Sequence, residues 1–181
     1  PGNYDRGLLG PLFEDIYDVA QDTGIMMFEP PTAPDWVAFA INGWQVAEHV
    51  FPVGWKTPPG GDIGSKHHAL NGHTYCCQLN TQVCSATGEP AEEYADACYG
   101  WHQERIGQRK ADADRLGIPY FLGEFGACMD TDDCVREIKQ ATDIADEHLS
   151  GWSYWQFKTY KDPTTSAGDK SEGFYNKDGS I

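Results

Sequence analysis

Tyr120-Phe121-Leu122-Gly123-Glu124-Phe125-Gly126 is the stretch that decides the fold. The run Ile118 to Leu122 is too short for a helix, contains Pro119 and is rich in aromatic and branched residues, the composition of a fully buried strand in a parallel sheet. It closes on a carboxylate, Glu124, just ahead of a chain-bending glycine. Parallel β/α folds place reactive groups at the C-terminal ends of their strands, so Glu124 is a candidate for chemistry. The plainer alternative is a strand-end acid paired with a nearby Arg or Lys. Its company decides between them.

Working outward, the acidic and amphipathic run Ala91 to Leu116 predicts a helix, closed by Gly117 and followed by Pro119. Beyond Glu124, Asp130 to Asp133 offers N-caps for a helix from about Cys134 to His148, with acids in its first turn where the helix dipole favours them. Gly151 to Phe157 is a further strand, left through the loop Lys158 to Pro163. Upstream, Leu8 to Gln21 repeats apolar residues with helical period and one broad buried face. Ile25 to Phe28 is an apolar strand stopped by Glu29-Pro30-Pro31, which sets a second carboxylate at a strand end. Residues 32 to 66 are rich in Trp, Pro and Gly and are expected to form a long functional loop. Ala69 to Cys76 is a short strand with His73 and Tyr75 two apart and therefore on one face.

Strands alternating with helices in this way predict a parallel β/α sheet. A closed eight-stranded barrel needs about 250 residues, and this chain has 181. It therefore offers roughly half of a barrel, a single domain over 1–181 without an internal repeat. Pro1 opens the chain without a methionine or a signal peptide, and the end at Ile181 follows loop-like sequence, so both ends read as cut from something longer.

A formal charge of -15 disfavours phosphate backbones and anionic membrane surfaces, so nucleic acid is not an expected partner. The longest apolar runs are far below the roughly 20 residues that span a bilayer. The six cysteines lack paired CxxC spacing and Cys/His clustering, so no metal is expected and disulfides are. Cys128 and Cys134 flank a short acidic turn and form the one pair singled out, while Cys76, Cys77, Cys84 and Cys98 can supply two more. An oxidising compartment follows: secreted, extracellular or lysosomal in type.

The strand ends supply Glu29, His73, Tyr75, Glu124 and Trp155, with Trp152 close by. That inventory suits sugar chemistry: two carboxyl groups, a tyrosine or histidine to orient one of them, and an aromatic platform for a sugar's apolar face. No GxGxxG or GxxxxGK follows a strand, and no serine nucleophile elbow is present. No cofactor is expected.

Taken together, Phe28-Glu29-Pro30, His73-Thr74-Tyr75, Gly123-Glu124-Phe125-Gly126 and Gly151-Trp152-Ser153-Tyr154-Trp155 resemble the second half of a glycoside hydrolase family 5 barrel, and within it the endoglycoceramidase-related branch. The likeness runs from Asp5 to about Asp162. It implies a TIM-barrel (β/α)8 fragment, strands five to eight with their helices, in a retaining β-glycosidase that acts on a glycosphingolipid or a β-glucan. It implies Glu124 as the nucleophile, His73 and Tyr75 beside it, and Trp155 as the floor of the sugar site. Glu29, Trp152 and Lys158 are the further candidate substrate contacts. The aromatic residues of the long loop, Trp36, Phe39, Trp44, Phe51 and Trp55, suit a lipid-tailed substrate, a glucan or plain packing. The Asn-Glu-Pro that carries the family's acid/base is missing here, which places that residue upstream of Pro1 in a longer parent; the rival is Glu29 itself in that role. On this reading the chain alone is inactive and requires the N-terminal half of the barrel. The alternative from another class is a carbohydrate-binding or pseudo-enzymatic protein without a full carboxylate pair.

Overall fold

The computed structural model describes residues 2–31, 36–41, 44–76, 90–126, 131–158, 173–175 and 178–180. After a short α-helix α1 (Gly2–Tyr4), a π-helical turn over Asp5–Leu9 leads into α2 (Gly10–Ala20). Then come β1 (Met26–Phe28), β2 (Trp36–Ile41), β3 (Trp44–Val50), β4 (His68–His73), α3 (Ala95–Leu116), β5 (Tyr120–Glu124), α4 (Asp132–Glu147) and β6 (Gly151–Trp152). One sheet takes the order β1-β4-β5-β6, and every neighbouring pair in it is parallel. The expected β/α alternation is present from β4 onward, with α3 and α4 as the crossovers to β5 and β6, while the connection from β1 to β4 carries β2 and β3 and, among the described residues, no helix.

Alternation along β4 and β5 divides the sheet into two faces. Leu70, Tyr120 and Leu122 turn to the helices and join Ile106, Ala113, Leu116, Ala141, Ile144 and Ala145 in one apolar cluster. A fully buried aliphatic side chain of this kind contributes about 1.5–3 kcal/mol. The helix ends follow the sequence. Gly117 takes φ 68° as the left-handed residue that closes α3, and the Thr131 hydroxyl accepts from the Cys134 amide at 3.1 Å to cap α4.

Three expectations need correction. The expected loop over 32–66 contains an antiparallel hairpin, β2 with β3, running from Trp36 opposite Val50 to Ile41 opposite Trp44. Asn42-Gly43 in the sequence between them is the dipeptide that two-residue hairpin connections favour. The broad buried face of the first helix is narrower than its periodicity implied: Leu9, Phe13 and Tyr17 pack inward, whereas Leu8, Leu12, Ile16 and Val19 are exposed. The cause is position, because α2 flanks β1 at the sheet's edge. For Trp55, one of the loop aromatics, the plain-packing alternative holds: it is 5% exposed and packs edge-on against Phe13 and Phe28 in the core. The strands at the two edges are also shorter than expected, at three residues in β1 and two in β6, although Trp155 continues the last one through an isolated bridge to Gly126.

Candidate active site

Glu124 owes its direction to a bulge. Register between β4 and β5 runs Leu70 with Tyr120, Asn71 with Phe121 and Gly72 with Leu122, then jumps to His73 with Glu124, leaving Gly123 as the extra residue. Strict alternation would put Glu124 on the face of Tyr120 and Leu122, among the helices. The bulge re-aims it to the other face, beside Asn71 and His73 of β4 and Tyr75 two residues beyond. Gly123 is needed there, since a Cβ on it would lie 2.0 Å from Asn71 Oδ1.

On that face the polar groups form one network. The Tyr75 hydroxyl donates to Glu124 Oε2 at 3.0 Å, and His73 Nδ1 lies 3.3 Å from the same oxygen. His73 Nδ1 is also 3.3 Å from Glu29 Oε1, and Asn71 Nδ2 donates to Glu29 Oε2 at 3.2 Å. Asn71 Nδ2 stands 3.2 Å from His73 Nε2. An amide N–H can meet that nitrogen only as a lone pair, so the imidazole proton sits on Nδ1, where it serves the two carboxylates. The reversed amide would set Asn71 Oδ1 against a carboxylate oxygen, which fixes the orientation. Burial pushes the His73 pKa below the ordinary value of 6.5; the Glu124 charge pulls it up, and Arg105 pushes it down again. His73 is thus held as a neutral donor.

Both donors meet Oε2 of Glu124. Its Oε1 makes no hydrogen bond among the described residues, and the side chain is 29% exposed, so one oxygen is positioned while the other is open to a substrate. Glu29 differs, because His73 and Asn71 occupy its two oxygens. Glu29 and Glu124 come from strands on either side of β4, and each places one carboxylate oxygen 3.3 Å from His73 Nδ1.

The remaining candidates divide. Trp155 is half-buried, its backbone N–H donates to Phe125 O at 2.9 Å, and its peptide to Gln156 is cis. Trp152 turns toward the helical layer, with its indole N–H 3.4 Å from Asp146 Oδ1 on α4 and its ring edge-on to Phe125. Lys158 is exposed, bridged through its backbone to Tyr175. Cys134 is disulfide-bonded, and Cys128 lies outside the described residues. Cys76 is bridged to Cys98. Asn71 escaped the sequence reading, although counting back by two from Tyr75 through His73 reaches it.

A parallel sheet with acids at the C-terminal ends of its strands and helices on one face defines a segment of a (β/α)8 barrel, and solved structures of that fold superpose on it. Endo-glycoceramidase II from Rhodococcus sp., in a cellobiose-like imidazole complex, matches with TM-score 0.67 and 17% identity over 99% of this chain and 35% of that one. The same protein as a lactosyl-enzyme intermediate gives TM-score 0.66 and 18% identity, covering 99% and 34%. A hyperthermophilic endo-beta-1,4-glucanase in complex with substrate gives TM-score 0.44 and 20% identity, covering 62% and 35%. The chain spans about a third of the endo-glycoceramidase II chains it matches. No curated protein matches its sequence. The family model described as Cellulase (glycosyl hydrolase family 5) matches residues 33–161, well over half of the chain. The chain belongs to glycosyl hydrolase family 5.

Proposed function

We propose that this chain is the nucleophile-bearing half of a retaining β-glycosidase catalytic domain. One observation carries the reading: Glu124, at the C-terminal end of a parallel strand, is held through one oxygen by Tyr75 and His73 with its other oxygen open. In a double displacement, Glu124 Oε1 attacks the anomeric carbon as the bond to the leaving oxygen breaks, and a general acid protonates that oxygen. Water then attacks the same carbon, giving its proton to the same group acting as base, and Glu124 is released. The lactosyl-enzyme intermediate of endo-glycoceramidase II, a protein of the same fold, supports a covalent step of this kind.

The acid/base belongs to the longer parent, upstream of Pro1. Glu29 is a poorer candidate, since Asn71 donates to one of its oxygens and His73 Nδ1 lies 3.3 Å from the other; its role is to position His73 on the substrate side of the site. The N-terminal half of the barrel would cover the apolar residues exposed at the sheet's two edges, Ile25 and Met27 beside β1 and Trp152 and Phe157 beside β6. The substrate is a β-glycoside, with a glycosphingolipid favoured by the likeness to endo-glycoceramidase II over nearly the whole chain. Trp155 floors the sugar site and Lys158 lies along the approach. The bonded state of Cys134 supports a Cys128–Cys134 bridge and, with Cys76–Cys98, a secreted protein.

The test is the anomeric configuration of the first product, read by proton NMR with the full-length protein and an aryl β-glycoside. Retention is expected, and inversion, or binding without turnover, contradicts the proposal. A dead Glu29→Ala enzyme restored by azide would move the acid/base role to Glu29.

A further inference from the structure

Four consecutive residues, His73 at the end of β4 and the three that follow it, are each fastened to α3. Arg105 Nε donates to His73 O at 2.8 Å, and His102 Nδ1 lies 2.7 Å from the Thr74 hydroxyl. Trp101 Nε1 donates to Tyr75 O at 2.9 Å, and Cys98 is bonded to Cys76. Cys98, Trp101, His102 and Arg105 recur at the spacing of one helical face, and none is more than 3% exposed. The Arg105 guanidinium lies 5.4 Å from the centre of the Trp101 ring, so the two devices brace each other. Behind His102, Glu137 of α4 holds Nε2 at 2.6 Å. With the Glu137 carboxylate accepting from Nε2–H, Nδ1 is left as the acceptor for the Thr74 hydroxyl, and the chain of hydrogen bonds runs in one direction from β4 to α4.

This face could have been apolar at lower desolvation cost. Its polar groups are spent on the peptide whose alternate side chains, His73 and Tyr75, touch Glu124, while the Thr74 amide between them donates to Glu124 O at 3.0 Å. We propose that Cys98, Trp101, His102 and Arg105, backed by Glu137, form a positioning clamp that sets where the Tyr75 hydroxyl and the His73 imidazole meet Glu124. None of the five touches substrate; they act through β4. The kinetic part rests on Glu124 being the nucleophile, while the geometric part does not.

The two parts separate in one experiment on the full-length protein. Thr74→Val removes the hydroxyl that His102 grips, and Thr74→Ser restores it. Crystal structures of both variants report the separation of the Tyr75 hydroxyl from Glu124 Oε2, 3.0 Å in the native chain. Trapping by an activated 2-fluoro-glycoside reports the covalent step. Thr74→Val is expected to stretch the Tyr75–Glu124 pair beyond hydrogen-bonding range and to slow trapping about tenfold or more. The reagent's binding constant should change little, and Thr74→Ser should regain most of the rate. A Tyr75–Glu124 separation that stays native, or trapping at the native rate after that hydrogen bond has broken, overturns the clamp and leaves the glycosidase reading standing. A broken Tyr75–Glu124 hydrogen bond in a protein whose native form is never trapped at Glu124 supports the geometric clamp and overturns the nucleophile. Should Thr74→Val not fold, Trp101→Phe, which deletes one N–H and keeps a ring, is measured in the same way with the same expected and contrary outcomes.

Discussion

Helix α3 grips the chain in two places through buried side chains, and only one grip ends at the residues around Glu124. Toward its N-terminus, Cys98 to Arg105 hold residues 73–76. Toward its C-terminus, Arg109 donates to Phe51 O at 3.1 Å, Asp112 Oδ2 accepts from the Val53 amide at 3.0 Å, and Arg115 donates to Trp55 O at 2.7 Å. The second grip is the more deeply ionic, with Arg109 and Asp112 paired at 2.6 Å and both almost wholly buried. Yet its far end is Trp55, in the apolar core, whereas the far end of the first is the pair of side chains on Glu124. Buried polar residues on a helix therefore do not identify a site by themselves; what they hold at the other end does. The two grips should separate under mutation, one affecting rate and the other stability.

The largest expected effect is at the chemical end. In the full-length protein Glu124→Gln should lose several orders of magnitude in turnover of an aryl β-glycoside while keeping its melting temperature, because it removes a covalent step and not packing. Steady-state kinetics beside a thermal melt would decide; substantial residual turnover contradicts the role given to Glu124.

Next comes the structural end. Asp112→Ala strands the buried Arg109 charge and the Val53 amide, and should cost about 3–5 kcal/mol in denaturant unfolding. The kcat of the folded fraction should stay near native, and a selective loss of kcat would mean that the two grips are not separate.

Smaller again is Gly123→Ala, whose new methyl must displace Asn71 or undo the bulge. Misplacing the Glu124 carboxylate by about an ångström should cost on the order of 100-fold in kcat if it is the nucleophile proposed, and a near-native rate would contradict the bulge as the device that aims Glu124.

The smallest effect is a titration. Burial lowers the His73 pKa, so the unfolded chain takes up the proton first as pH falls below 6.5, and the native state loses stability between there and the lower folded value. Above that window both states are neutral and the contribution vanishes. By NMR the His73 midpoint should lie below 6.5, and lower still in Glu124→Gln, because the Glu124 charge raises it. A midpoint that rises in the variant contradicts the network drawn around Glu124.

Much of the fold is legible in the residues alone, for local reasons. The limits of α3 follow from Gly117 and Pro119, the β5 strand from an apolar run too short to be helical, and the pairing of His73 with Tyr75 from a period of two. What escapes depends on interactions distant in sequence. The bulge at Gly123 is a matter of register between two strands, and nothing in β5 alone reveals that Glu124 changes face. The clamp joins positions 73–76 to 98–105 and 137, where helical periodicity shows only a face that is not apolar. The exposure of Leu8, Leu12, Ile16 and Val19 depends on what lies beside the sheet's edge, which no helical wheel contains. The hairpin, by contrast, is legible in Asn42-Gly43 and is hidden by the Trp, Pro and Gly around it.

Mechanism-based labelling bears most directly on the site as a whole. The full-length protein is incubated with a 2-deoxy-2-fluoro β-glycoside bearing a good leaving group, digested, and mapped by mass spectrometry. A single glycosylated residue, Glu124, in the peptide that contains Tyr120 to Gly126 is the expected result. A label on Glu29 or on any other carboxylate would contradict it.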